Sequence, residues 1–313
     1  MLQIVEFLIE LWYNYCMKNW LKNSNVVITG ASSGIGKEIA KILILKYNCN
    51  VLGVARNEQK LKDFKNELGS FSVKDKSLKN KSKKENFDFS QQFDYVVADV
   101  SKEESWPLIL EKAKQKNCNV LINNAGTMLP FTKAINVSDQ DIKRVFNTNF
   151  YSVVNGCKTF SNYFIEKEQK CAIINITSVA ATCSMPGQSV YSASKSAATS
   201  YSKILSSELK SKVFVGTYLP GFTKTNLFTT QDNSKPIFDE KLIKVLNIIS
   251  MSANKLAKKI VKNIKRKKRY KIFGFDSKLY RFLNWVAPSK STDLYLKIFK
   301  KINTKSFEDL FRE

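Results

Sequence analysis

The 313-residue sequence contains no histidine. That single absence excludes Ser-His-Asp hydrolysis, Cys-His proteolysis and histidine-ligated zinc, so any chemistry falls to other side chains. Six cysteines are present (Cys16, Cys49, Cys118, Cys157, Cys171 and Cys183), but none form a CxxC pair. Their scatter reads as buried, reduced, structural thiols, and no metal site is expected. Arginine is also scarce: six residues, against a net charge of +24 carried almost wholly by lysine. With no Arg-aromatic RNA-binding motif, the charge reads as a solvated lysine-rich surface and no specific nucleic-acid partner is expected. No internal repeat is visible, and the length allows one large domain with extensions or two small ones.

Against these absences stands one glycine-rich stretch. The apolar strand Val26, Val27, Ile28 runs into Thr29, Gly30, Ala31, Ser32, Ser33, Gly34, Ile35 and Gly36. Gly30 permits a tight turn, Gly34 lets backbone approach a pyrophosphate, and Gly36 lets the following helix pack close to the strand. The helix N-terminus would then face the phosphates with free N–H groups. An amphipathic helix follows (Ile35, Ile39, Ile42, Leu43), then a second apolar strand over 50–55 that ends at Arg56. This is the βαβ context that a dinucleotide site requires.

Further along, Leu61, Phe64 and Leu68 mark an exposed helix, and residues 69–92 form a Lys/Ser/Asn-rich tract read as a mobile insertion. Strands are expected over 93–100, 119–122, 171–177, 213–219 and 270–274, with helices over 103–116, from the Ser138 cap through Val154, and over 189–209. Strands alternating with helices imply a parallel sheet covered on both faces, with ligand at its carboxyl ends. Four polar residues fall at those ends: Asn149, Ser178, Tyr191 and Lys195. Tyr191 and Lys195, spaced i and i+4, share one helical face. A nearby ammonium would lower the tyrosine pKa from about 10, so that Tyr191 could act as acid or base. Ser178 could donate a hydrogen bond to a substrate oxygen.

The ordered set of motifs resembles the short-chain dehydrogenase/reductase family across roughly residues 25–275. The set comprises the glycine turn of 29–36, Asp99-Val100, Asn123-Asn124-Ala125-Gly126, Asn149, Ser178, Tyr191 to Lys195, and Pro220-Gly221 with Thr225. The resemblance implies an α/β Rossmann fold, a doubly wound parallel sheet, and hydride transfer between NAD(P) and a carbonyl or alcohol. Tyr191 would be the proton donor or acceptor and Ser178 would polarise the substrate oxygen. Lys195 would lower the tyrosine pKa and hold the nicotinamide ribose, and Asn149 would position a proton-relay water. Asp99 and Val100 would face the adenine, Asn123, Ala125 and Gly126 would line the cofactor cleft, and Pro220, Gly221 and Thr225 would lie along the nicotinamide and phosphates. Arg56, where an NAD site carries an acid, favours NADP(H). The family is commonly oligomeric, so a homo-oligomer is expected.

Residues 222–250 occupy the family's substrate loop. Leu227, Phe228, Ile237, Phe238, Leu242 and Val245, with Met185, make it apolar and suited to a hydrophobic ketone or alcohol. Residues 1–24 are an apolar extension broken by Glu6 and Glu10, a poor signal peptide and a poor span; Met17 is an alternative start. Residues 276–313 form an amphipathic helical extension. Leu279, Phe282, Leu283 and Val286 make one face, and Leu294, Tyr295, Ile298, Phe299 and Ile302 another. Lys278, Arg281, Lys297, Lys300 and Lys301 flank them, with Trp285 between. This tail suits either an anionic membrane interface or packing on the domain or another subunit. It is similar to extensions of lipid-ketone reductases such as 3-ketodihydrosphingosine reductases. The expectation is therefore a cytoplasmic NADP(H)-dependent oxidoreductase of a hydrophobic, lipid-like carbonyl, with the tail as its candidate contact to a membrane surface. A 3-oxoacyl-carrier-protein reductase and a non-catalytic NADP-sensing protein are the alternatives.

Overall fold

The computed structural model describes residues 20–71, 87–224, 238–274, 281–282, 284–302 and 304–311. Short runs of Val, Ile and Leu form a seven-stranded parallel sheet: β1 (Asn25–Thr29), β2 (Asn50–Ala55), β3 (Phe93–Val97), β4 (Val120–Asn123), β5 (Cys171–Ile176), β6 (Val213–Pro220) and β7 (Tyr270–Phe273). Their order is β3-β2-β1-β4-β5-β6-β7. In register, Val27 lies beside Leu52 on one side and Leu121 on the other. The order reverses direction between β1 and β4, so connections leave to opposite faces there and open a crevice at the strand ends. The expected doubly wound Rossmann architecture is what the chain adopts.

Helices cover both faces because the central strands are apolar on both. On one face α1 (Gly34–Tyr47) packs on the late helix Ala253–Lys265. That late helix buries Leu256, Ala257, Ile260, Val261 and Ile264 along one stripe and leaves its lysines outward. Trp20 anchors there too, donating its indole N–H to the Lys265 carbonyl at 3.0 Å. On the other face Trp106, Ile109, Phe160, Phe164 and Ala198 form a second core. Phe89, inside the tract expected to be a mobile insertion, is fully buried beside Phe87, and Phe89–Gln92 forms a short 3-10 turn. Two aromatic residues in a polar tract were the signal for that anchoring. The rest of the tract, 72–86, lies outside the described residues, as does residue 1–19 of the N-terminal extension.

Ser138 caps its helix as expected, accepting the Asp141 N–H at 3.1 Å. That helix, Asp139–Phe146, runs into a π-helical turn at Asn147–Tyr151 before resuming as Ser152–Ile165. The tail folds back on the domain through the helix Pro288–Ile302. Tyr295, Phe299 and Phe307 are buried with Met128, Phe131, Phe238, Leu242 and Leu246. The single apolar face expected for this helix is divided. Tyr295 and Phe299 turn inward, whereas Leu294 and Ile298 are 45% and 39% exposed, since adjacent helical residues diverge by about 100°. Two carboxylates fix the tail. Asp309 accepts the Lys133 N–H at 2.9 Å and the Asn136 amide at 3.2 Å. Asp239 accepts the Ser306 N–H at 2.7 Å and its hydroxyl at 2.8 Å. Burial works upward on Asp239, but hydrogen bonds from Leu242, Ser306 and Thr304 outweigh it and hold the acid at about 2.

Candidate active site

The strand ends open onto one cleft of about 750 Å³. At its first end, Gly30 and Gly34 take left-handed conformations at φ 68° and 56°, as the tight turn requires. Gly36 lies behind the wall: a Cβ there would strike the Gly30 carbonyl and the Asn124 amide. Ser32, Ser33, Gly34 and Ile35 line the opening. The first turn of α1 has no acidic residue, and Ser33 makes no side-chain cap bond, so N–H groups of that turn remain for an anion. Arg56 lines the cleft at the exposed end of β2, followed by Asn57 and joined by Lys60, a residue the sequence reading missed. Asn57 caps the next helix by accepting the Lys60 N–H at 2.9 Å, which fixes where that lysine begins its reach. Asp99 and Val100 line the same end, and the Asp99 carboxylate accepts the Ser101 N–H and hydroxyl at 3.0 and 2.7 Å. A glycine turn with free N–H groups, the cations Arg56 and Lys60, and a single carboxylate among the described lining residues fit a dinucleotide.

The middle of the cleft is framed by Asn124, Ala125 and Gly126. Asn123, expected here, instead points away: it is 3% exposed and donates to Asn175 Oδ1 at 2.8 Å below the sheet ends. Asn124 takes its place, donating to the Thr29 carbonyl at 3.0 Å, while Thr29 Oγ1 accepts the Asn124 and Ala125 N–H groups at 2.9 and 3.0 Å. Alternation along a strand sends neighbouring side chains to opposite faces, which is why one asparagine is structural and the other frames the opening. Pro220 and Gly221 line the far wall with Phe222 and Thr223; Thr225 lies outside the described residues.

Ser178, Tyr191 and Lys195 converge at the inner end. Ser178 Oγ accepts the Ala180 N–H at 3.2 Å and stands close enough to the Tyr191 hydroxyl to act downward on that phenol's pKa. Lys195 Nζ is 6.0 Å from the Tyr191 ring centroid, on the next turn of the same helix, Ser189–Glu208. Burial, rather than the lysine, is the largest influence on the Tyr191 phenol. Burial pushes the Tyr191 phenol up and outweighs Ser178 acting downward, and burial also pushes the Lys195 ammonium down to about 8. Desolvation disfavours both charged forms more than their separation favours them.

Asn149 is fully buried and does not line the cleft. Its Oδ1 accepts the Thr127 N–H at 2.8 Å, and its amide donates to the Thr127 carbonyl at 2.8 Å and to Ser194 Oγ at 3.1 Å. Ser194 in turn donates to the Tyr191 carbonyl at 2.8 Å. The π-helical turn that carries Asn149 therefore ties the β4 loop to the helix bearing Tyr191 and Lys195. The side chain is engaged in that tie, and its Oδ1 lies near Lys195: a Cβ on Gly126 would stand 3.3 Å from Asn149 Oδ1 and 3.2 Å from Lys195 Nζ. Gln188 also lines the cleft, with Nε2 donating to the Leu129 carbonyl at 3.0 Å and Oε1 buried without a partner among the described residues.

Beyond Tyr191 the wall is apolar: Met128, Phe131, Cys183, Met185 and Phe222, with Phe238 and, from the tail, Tyr295. Leu227, Phe228 and Ile237 lie outside the described residues, while Leu242 is buried behind the wall and Val245 is half-buried. All five described cysteines are buried, and burial raises their thiols, Cys49, Cys118 and Cys157 to about 12.

A doubly wound sheet with a glycine-turn cleft and a Ser-Tyr-Lys cluster at its carboxyl ends defines a nucleotide-dependent oxidoreductase. Residues 24–236 match the short chain dehydrogenase family, and the chain belongs to it, an oxidoreductase family acting on CH–OH and C=O groups. Among its relatives, the 3-oxoacyl-[acyl-carrier-protein] reductase FabG of Chlamydia muridarum is 31% identical over 214 residues, covering 67% of this chain and 78% of that protein. The fold is shared with a 3-ketoacyl-(acyl-carrier-protein) reductase from Brucella melitensis complexed with NADH. That likeness has a TM-score of 0.64 at 24% identity and covers 78% of this chain and 91% of the other. A short-chain dehydrogenase from Sphingobium yanoikuyae in complex with NADPH gives a TM-score of 0.64 at 20% identity, covering 88% and 95%.

Proposed function

We propose that the protein is an NADP(H)-dependent oxidoreductase that interconverts a hydrophobic ketone and its alcohol. The observation that carries this reading is the convergence of Ser178, Tyr191 and buried Lys195 at the apolar end of a cleft whose other end holds Arg56 and Lys60. Gly34, Ile35 and the first turn of α1 would hold the diphosphate, Arg56 and Lys60 the 2′-phosphate, and Lys195 the nicotinamide ribose. The bound cofactor supplies the hydride. Ser178 holds the substrate carbonyl by a hydrogen bond that strengthens as negative charge grows on that oxygen. Tyr191 donates its phenolic proton to the same oxygen, and a phenol raised by burial is protonated across the neutral range, as reduction requires. Alcohol oxidation needs the phenolate, so its rate should climb with pH where reduction stays level. Asn149 acts as a positioning residue through Thr127 and Ser194.

The test is NADPH consumption with medium- and long-chain ketones and 3-oxoacyl thioesters, run beside NADH and with Tyr191→Phe. NADPH-selective turnover that drops by about 10²-fold or more in the variant is the expected result. Tight NADPH binding with no carbonyl reduced by the wild type would instead favour a cofactor-sensing protein. The FabG relative makes a 3-oxoacyl thioester carried by an acidic protein a specific second reading, for which the lysine-rich surface is suited. A surface contact with anionic membrane is also proposed: Phe282, Trp285 and Val286 are 57%, 78% and 60% exposed, and Arg281, Lys297 and Lys301 are exposed on the same tail.

A further inference from the structure

The matched family region ends at residue 236, yet the apolar end of the cleft is completed by a side chain from far beyond it. Tyr295, in the middle of the tail helix Pro288–Ile302, is 6% exposed and lines the cleft. Its hydroxyl is 3.3 Å from Cys183 Sγ, its ring lies 6.1 Å from that of Phe299, and Phe299 stacks on Phe307 at 4.2 Å. The tail is held in this place after the contact by Asp239 on Ser306 and by Asp309 on Lys133 and Asn136, and before it by the Asn284 amide donating to the Thr182 carbonyl at 3.1 Å. A ring so fixed has little freedom to yield to an incoming group.

We infer that the C-terminal extension is a built part of the substrate site and that Tyr295 sets the size of the apolar group a ketone substrate can carry. This inference rests on the proposed reductase reading. Tyr295 faces Phe131, Phe238, Met185 and Cys183 across the apolar end, so the pocket takes an alkyl or aryl substituent and offers a sugar no set of partners. A protein of this architecture lacking the tail would leave that end open to solvent. Removing a ring from such a wall admits a larger group, and enlarging it excludes one; each buried methylene of fit changes kcat/KM by about 10-fold or more.

The experiment compares wild type with Tyr295→Ala, Tyr295→Trp, Tyr295→Phe and the outward-facing control Leu294→Ala. Each is assayed with NADPH on 2-butanone, 2-octanone and 1-acetonaphthone. Tyr295→Ala should raise the large-to-small ratio of kcat/KM by about 10-fold, Tyr295→Trp should lower it, and Tyr295→Phe and Leu294→Ala should leave it in place. Opposite signs for Ala and Trp separate a change of wall from simple loosening of the tail. A ratio unchanged in both Ala and Trp variants overturns the inference. Alkylation of Cys183 by iodoacetamide, located by mass spectrometry, is a second readout that needs no turnover. It should speed up about 10-fold in Tyr295→Ala and not in Leu294→Ala, since Tyr295 covers that thiol. If the wild type reduces no ketone, the reductase reading fails; labelling of Cys183 that is unchanged in Tyr295→Ala then overturns the wall itself.

Discussion

Tyr191 and Lys195 lie one turn apart on one helix, and desolvation, which depends on everything packed around them, disfavours charge on both. Lys195 offers a direct test. Its folded pKa of about 8 lies below its ordinary 10.5, so the folded state gives up a proton that the unfolded chain keeps. The cost is fully present below pH 8 and is relieved as pH rises from 8 to 10.5, amounting to about 3 kcal/mol. Lys195→Met should therefore raise the melting temperature of the cofactor-free protein at pH 7 and lose that advantage near pH 10. An equal gain at both pH values would show that the ammonium is not desolvated. Asn123 and Asn124 mark a limit of residue-level reading, since only the strand's pleat decided which of two adjacent asparagines faced the opening.

At the scale of elements, the glycine turn was the strongest signal in the chain because each glycine answers a separate backbone demand. Gly30 and Gly34 answer a positive φ, and Gly36 answers a helix lying against the strand end. Gly36→Ala should cost about 1–3 kcal/mol in thermal or denaturant unfolding, because its Cβ would meet the Gly30 carbonyl and backbone there cannot swing aside. The same variant should weaken NADPH binding by displacing the turn; retention of wild-type stability and affinity would mean that the helix can slide to make room. The π-helical turn at Asn147–Tyr151 was illegible, since a continuous apolar period predicts an unbroken helix and the extra residue is held by Asn149's bonds to Thr127 and Ser194.

For the whole molecule, the tail has two faces with two destinations. Its inward face completes the core around Phe131 and Phe238, and its outward residues leave Trp285 and Phe282, with ring centroids 6.3 Å apart, in solvent beside basic side chains. Among the described residues no helix is long and apolar enough to cross a membrane. Cosedimentation with phosphatidylserine vesicles should be measurable at low salt, fall as salt is raised, and drop several-fold in a Trp285→Ala, Phe282→Ala double variant. Equal binding to neutral phosphatidylcholine vesicles, or none to either, would leave the exposed aromatics without a membrane role.

The doubly wound sheet, the glycine-turn cleft and the Ser-Tyr-Lys cluster were readable from local spacing alone: apolar runs, a turn chemistry, one helical face. That Asn149 ties Thr127 to Ser194, that Lys60 joins Arg56, and that Tyr295 lines the apolar end of the cleft came from the folded chain. Those three depend on which distant segments meet, and an amphipathic tail has the same pattern whether its apolar face finds lipid, another subunit or its own domain.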